Sequence, residues 1–194
     1  MCSSDLRFLL SLPEEDIDRM AGTMVEGFRR GFVNGRKDIT KKKTVGLRYH
    51  LGFERVARRV KELFGELGLT AVFSMGSTHA PSLSASWVSA TPASRQFSYD
   101  HRQDAALFMS PDFVQRKLRC LQEVFEERKQ EAGVFAGPAV METFGGNPFY
   151  PATCKEAWTY DEEQQKLRQK LVNESNLITN RFIPSEERSF TIIA

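Results

Sequence analysis

The chain has 194 residues, 41% of them hydrophobic and 27% charged, the balance of an ordinary soluble globular protein. No apolar stretch approaches the roughly 20 residues that span a membrane, and the N-terminus lacks the pattern of a secretory signal. The three cysteines are widely spaced, which indicates reduced thiols and predicts a cytoplasmic protein: Cys2, Cys120 and Cys154.

The net charge of +2 hides an uneven distribution. From Arg29 to Lys61, twelve Lys and Arg stand against Asp38 and Glu54, so the rest of the chain is net −8. Such a basic face attracts nucleic acid or another polyanion, although no aromatics are interleaved with the charges for base stacking. A solvated helix face with a lysine-rich loop, complementing acidic helices elsewhere, explains the same pattern.

The first predicted helix follows an S-x-x-E capping box formed by Ser11 and Glu14, with Pro13 near the helix start. Asn34 and Gly35 end this helix. Its apolar stripe recurs at steps of three and four residues: Ile17, Met20, Ala21, Met24, Phe28 and Phe32.

A strand–helix–strand unit follows. Thr44–Tyr49 is predicted as a strand, Gly68 as a residue of positive φ that ends the helix, and Leu69–Ser74 as a second strand. This βαβ pattern predicts parallel strands joined by a right-handed crossover. The helix between the strands has one apolar face: Phe53, Val56, Val60, Leu63, Phe64 and Leu67.

The second half begins with a long loop, Met75–Ser98, in which Ala85–Val88 could form a weak strand. Ser110 and Pro111 then predict the start of a long helix that runs towards Gly133.

A third strand is predicted at Pro138–Phe144, with a turn over residues 145–148 after it. Thr159 and Glu162 form a capping box for the last helix, and Ser189–Ala194 is a fourth strand. The predicted fold is an open, mostly parallel sheet of about four strands with helices on both faces, a Rossmann-like or flavodoxin-like three-layer α/β fold. The last helix carries Leu167, Leu171, Ile178 and Phe182.

We interpret Met1–Leu6 (MCSSDL) as a scar of cloning or assembly, or as a disordered start, and residues 7–194 as one α/β domain. Because a complete parallel sheet usually covers its last strand with another element, we expect this domain to be truncated at its C-terminus.

Common catalytic and cofactor motifs are missing. His50, His79 and His101 lie far apart, and neither H-E-x-x-H nor a paired C-x-x-C occurs, so no zinc signature is present. The chain also lacks G-x-S-x-G, G-x-G-x-x-G and the Walker lysine motif.

A cation site is conceivable at Asp100, His101 and Asp104, although acidic residues there also suit a helix start. One hypothesis is therefore an independent enzyme that holds a metal between Asp100, His101 and Glu142.

Ligands of open parallel sheets gather beyond the carboxyl ends of the strands. Arg48, Tyr49 and His50 lie at that end of the first strand, and Glu142 and Thr143 at that of the third. This edge is the predicted binding region, and an ordinary Arg–Glu pair is the structural alternative.

Four extended segments of the chain are informative together: Met24–Val56 (MVEGFRRGFVNGRKDITKKKTVGLRYHLGFERV), Asp100–Leu118 (DHRQDAALFMSPDFVQRKL), Val134–Phe149 (VFAGPAVMETFGGNPF) and Asn180–Ala194 (NRFIPSEERSFTIIA). They resemble the aminopeptidase T (thermophilic aminopeptidase) family of dimetal peptidases, as found in bacterial leucyl aminopeptidases. The resemblance runs from about Leu12 onward, except for the loop Met75–Phe97.

The resemblance implies the N-terminal, non-metal domain of a leucyl-type aminopeptidase, inactive alone, that shapes the active site and the dimer. It implies no cofactor in this chain, and two divalent ions of the zinc or cobalt type in a C-terminal metal-binding domain of the parent. The implied partners are that domain, a peptide substrate and a second copy; from composition and charge pattern we expect no membrane partner and no nucleic acid. No catalytic or metal residue carries over; the candidate substrate-binding residues are Arg48, Glu142 and Arg188. The alternative is a stand-alone binding module that uses the basic face Arg29–Lys61 for a polyanion.

Overall fold

The structure, a computed structural model, describes residues 3–50, 52–75, 95–142, 149–152 and 154–193. The chain divides into two compact units where the sequence predicts one domain. The sheet unit comprises Met1–Gly76, Arg128–Gly146 and Phe182–Ala194, and the helical unit Ser77–Glu127 and Asn147–Arg181. The division arises because the connections from the second to the third strand and from the third to the fourth bury an apolar core of their own.

The sheet unit contains four parallel strands in the order β2-β1-β3-β4. The strands are β1 (Thr44–Tyr49), β2 (Thr70–Met75), β3 (Phe135–Met141) and β4 (Thr191–Ile193). The prediction of a parallel, three-layer α/β fold is thereby confirmed. The strand order matches the first four strands of a flavodoxin-like doubly wound sheet.

Strand β3 begins three residues earlier than predicted because a bulge interrupts its pairing with β1. Thr44 pairs with Phe135 but Gly46 pairs with Pro138, so an extra residue lies between them. Gly137, at φ +117°, supplies the conformation that the bulge needs. Pro138 has no N–H to offer a ladder, and a bulge is where a strand tolerates that loss.

Two helices precede the sheet, α1 (Ser3–Ser11) and α2 (Glu14–Asn34). The predicted capping box is wrong, because Ser11 is the last residue of α1 and its Oγ donates to the carbonyl oxygen of Phe8. Pro13 occupies the N-cap of α2, and Gly35 caps its other end as predicted. Helix α1 includes part of the stretch interpreted as a scar.

Helix α3 (Glu54–Glu66) joins β1 to β2, and Gly68 follows it at φ +77°, which confirms the predicted βαβ unit. Helices α2 and α3 pack against each other and against one face of the sheet. The Phe28 ring lies edge-on to Phe64 with 5.2 Å between centroids. Both rings are fully buried, and burial of each stabilises the fold by about 1.5–3 kcal/mol. The other fully buried large side chains of this core are Met24, Phe32, Val45, Leu47, Phe53, Val56, Val60 and Met141.

Ser189 ties the start of β4 to the rest of the sheet unit. Its buried Oγ donates to the carbonyl oxygen of Phe28 at 2.8 Å, and its N–H donates to that of Ala136 at 2.8 Å. Gly31 and Gly137 leave the room for this approach, since a Cβ at either position would collide with Ser189.

The connection from β2 to β3 contains α4 (Arg95–Asp100), a 3₁₀ segment (His101–Leu107), α5 (Pro111–Glu127) and the short α6 (Lys129–Gly133). Ser110 caps α5 as predicted, with its Oγ accepting from the Phe113 N–H at 3.2 Å. The predicted single helix to Gly133 is broken at Arg128, whose backbone is non-helical. The predicted weak strand Ala85–Val88 and the turn at residues 145–148 lie outside the described residues.

Helix α7 (Glu162–Phe182) packs with α5 through a small apolar core. Its capping box is formed by Asp161 and Gln164, which exchange backbone-to-side-chain bonds of 2.8 and 3.2 Å, and not by the predicted Thr159 and Glu162. Within the described ranges, no helix combines the length and apolarity that crossing a membrane requires. The core between the two helices contains Met109, Val114, Leu118, Leu167, Leu171 and Ile178.

Gly137 gives a direct test of the bulge. Gly137→Ala is expected to lower the free energy of unfolding by about 2–4 kcal/mol, because positive φ strains alanine and its Cβ meets the Ser189 backbone. Gly22→Ala is the matched control: it lies inside α2, its Cβ meets nothing, and it should stabilise by about 0.5–1 kcal/mol. Urea denaturation measures both, and equal effects would contradict the described bulge.

Candidate functional site

The two central strands of the sheet, β1 and β3, are adjacent, but their connections leave in opposite directions. The chain passes from β1 to β2 on one side and from β3 to β4 on the other. In doubly wound sheets the carboxyl edge at such a reversal forms a crevice, and ligands bind there. The switch point between β1 and β3 is therefore the place in this fold to look for a site.

Three charged or titratable side chains meet at this switch point. Arg48 Nη2 lies 3.4 Å from Glu142 Oε2, and His50 Nε2 contacts the other carboxylate oxygen, Oε1. The Glu142 backbone is fixed as well, because its N–H donates to the carbonyl oxygen of Ile193 at 2.9 Å. The cluster Arg48–His50–Glu142 thus joins residues that lie 94 positions apart in the chain.

Exposure differs sharply within the cluster. The His50 side chain is 12% exposed, that of Glu142 25% and that of Arg48 53%. His50 and Glu142 form the more buried part of the cluster, and the Arg48 side chain is its solvent-exposed part.

The sequence places His50 at this edge but gives it no role in the site, and the structure adds it as a contact of Glu142. The missed signal is the spacing: Arg48 and His50 are two residues apart, which in extended chain places both side chains on the same side of the sheet.

The N-terminus of α3 faces the loop after β1, where phosphates bind in nucleotide-binding folds of this kind. Here Glu54 Oε2 accepts the Gly52 N–H at 2.9 Å. The protein's own carboxylate therefore takes one N–H of this loop, which also lacks a glycine-rich phosphate-binding motif.

Arg188 lies away from the cluster. It precedes β4, so it is at the amino edge of the sheet, opposite Arg48 and Glu142. Its carbonyl oxygen accepts from Lys37 Nζ at 2.6 Å. The structure thus brings together two of the three predicted substrate-binding residues, because residues before and after parallel strands lie at opposite edges.

The residues of the alternative metal site have other partners in the described part of the chain. Asp100 accepts a hydrogen bond from Gln96 at 2.7 Å, and His101 Nδ1 pairs with Asp104 Oδ2 at 2.7 Å. Glu142 belongs to the other unit and has its own partners. Among the described residues, no three His, Cys, Asp or Glu side chains are grouped to hold a metal ion, and His79 lies outside that range.

Most of the basic stretch Arg29–Lys61 is engaged with oxygen acceptors. Among the described residues, eight of its twelve cations have such partners: Arg29, Arg30, Lys37, Lys41, Lys42, Arg48, Arg55 and Arg59. Lys42 is buried and donates to Glu187 and to the carbonyl oxygen of Gly133. The acidic partners reduce the positive charge that this stretch offers to a polyanion.

Taken together, the fold and this edge define a class: a doubly wound α/β protein with a polar cluster at its switch point. In comparisons with protein-family models, curated proteins and solved structures, nothing matches the chain.

Glu26 tests whether the basic stretch is paired in solution. Its hydrogen bonds from Arg29 and then Arg30 lower the pKa of the Glu26 carboxyl from 4.5 to about 2. Because this pKa is lower in the folded state, the ionised Glu26 carboxylate stabilises the fold above pH 4.5. That stabilisation is lost as the pH falls towards 2. NMR titration of the Glu26 carboxyl should give a midpoint near pH 2, and Arg29→Ala should raise that midpoint. A midpoint near pH 4.5 in the unsubstituted chain would contradict the pairing.

Proposed function

We propose that this chain is the non-metal α/β part of a metal-dependent, leucyl-type aminopeptidase, in which it shapes the active site and helps to form a dimer. The observation that carries the proposal is the meeting of two resemblance segments at one site. Met24–Val56 supplies Arg48 and His50, Val134–Phe149 supplies Glu142, and the sheet pairs these segments at its switch point.

In this proposal the cluster binds and orients the substrate. The guanidinium of Arg48 and the carboxylate of Glu142 offer opposite charges to the polar groups of a peptide. The two metal ions of such an enzyme, of the zinc or cobalt type, activate the attacking water when bound. The resemblance implies that these metals lie in a C-terminal domain of the parent enzyme, so in this proposal the chain Met1–Ala194 by itself is inactive.

The direct test is to express the gene in its natural extent and to assay leucyl-p-nitroanilide with zinc or cobalt. We expect hydrolysis that a chelator abolishes and added metal restores. Glu142→Gln should lower kcat/KM about 10- to 100-fold, because it removes a charged hydrogen-bond partner. Arg58→Ala, an exposed arginine on α3, is the matched control and should change little. A folded, metal-loaded protein that hydrolyses no aminoacyl anilide would refute the proposal.

The competing function, a polyanion-binding module, makes a different prediction. Because acidic groups of the fold pair with much of the basic stretch, we expect no gel shift with duplex DNA or RNA near physiological salt. A salt-dependent shift that Arg58→Ala and Lys61→Ala weaken would favour the module instead.

A further inference from the structure

The two contacts that Glu142 makes at the switch point differ in kind. His50 is nearly buried and touches one carboxylate oxygen, whereas Arg48 is over half exposed and reaches the other at 3.4 Å. A contact of that length is at the limit of a hydrogen bond, and exposed ion pairs contribute little to stability. Arg48 can therefore turn away from Glu142 at small cost, while His50 keeps the carboxylate in place.

The charges around Arg48 select the kind of ligand that it can take. Glu142 beside it repels a highly charged anion, and Glu54 accepts the N–H of Gly52 in the loop before α3. Within the cluster Arg48–His50–Glu142, the Glu142 carboxylate offsets the charge of Arg48, so a phosphate or polyphosphate finds little surplus of positive charge. A single negative charge on a planar group suits the site, because the planar fork of a guanidinium binds a carboxylate through two parallel hydrogen bonds.

We propose that Arg48 binds the C-terminal carboxylate of a short peptide, so that the site selects small peptides with a free carboxyl group. We take the ligand to be a peptide because of the proposed function. We take its binding group to be a monovalent carboxylate because of the charges in the cluster Arg48–His50–Glu142. On binding, the guanidinium exchanges Glu142 Oε2 for the carboxylate of the ligand. His50 is a positioning residue. It holds the Glu142 carboxylate in place when Arg48 turns from Glu142 to the ligand.

The kinetic test compares leucylglycylglycine with its C-terminal amide in the metal-loaded, full-length protein. We expect a lower KM for the free acid, and Arg48→Ala should raise KM for the acid about 10- to 100-fold more than for the amide, with kcat little changed. Arg48→Lys should recover part of this preference, and the control Arg58→Ala should retain all of it. Equal KM values for the free-acid peptide and its amide in the enzyme without substitutions would overturn the inference. The proposed function would remain intact.

A binding test is independent of hydrolysis. In the 194-residue chain, the Nε–H resonance of Arg48, assigned by comparison with Arg48→Lys, is followed during titration with N-acetylglycine and with N-acetylglycinamide. We expect a saturable shift with the carboxylate alone, and a smaller one in His50→Gln. No shift, or equal shifts with both compounds, would overturn the inference. A carboxylate-specific shift in a protein that cleaves no peptide would instead retain the site and reject the aminopeptidase.

Discussion

Strands β1 and β3 lie side by side at the centre of the sheet, although the first segment of the helical unit, Ser77–Glu127, separates them in the chain. Their pairing brings Arg48 and His50 to Glu142, because Arg48 pairs with Val140, two residues before Glu142. Two glycines make the pairing possible. Gly46 leaves space for the Phe135 ring, which a Cβ would meet at 3.2 Å, and Gly137 allows the bulge that brings Pro138 opposite Gly46.

The remaining packing of the sheet unit holds this register in place. Helices α2 and α3 cover the face that contains Val45, Leu47 and Met141, so a shift of one residue would turn buried side chains away from the core. Ser189 fixes the entry to β4 against α2 and β3, and β4 in turn holds the Glu142 backbone through Ile193. The site thus depends on contacts from the start, middle and end of the chain.

Local patterns in the sequence predict much of this fold. The change from an extended run to helical periodicity locates β1, α3 and Gly68, since each signal is contained in a few neighbouring residues. Predictions fail where two local signals compete. Ser11 matches a capping box but is the last residue of α1, and the pattern Thr159–Glu162 lies beside the box that Asp161 and Gln164 form. The start of β3 depends on a bulge that β1 and Ser189 impose from far away.

The site shows the same limit. Position at the carboxyl ends of parallel strands is enough to predict that Arg48 and Glu142 lie at one edge, and topology explains why Arg188 lies at the other. The contact of His50 with Glu142 depends on strand register, which local sequence does not specify.

The proposed site is tested most directly by a crystal structure of the protein with a bound, non-hydrolysed dipeptide analogue. We expect a peptide carboxylate on the Arg48 guanidinium, with Glu142 retained by His50. A peptide bound elsewhere, beside an unchanged Arg48–Glu142 pair, would refute the proposal.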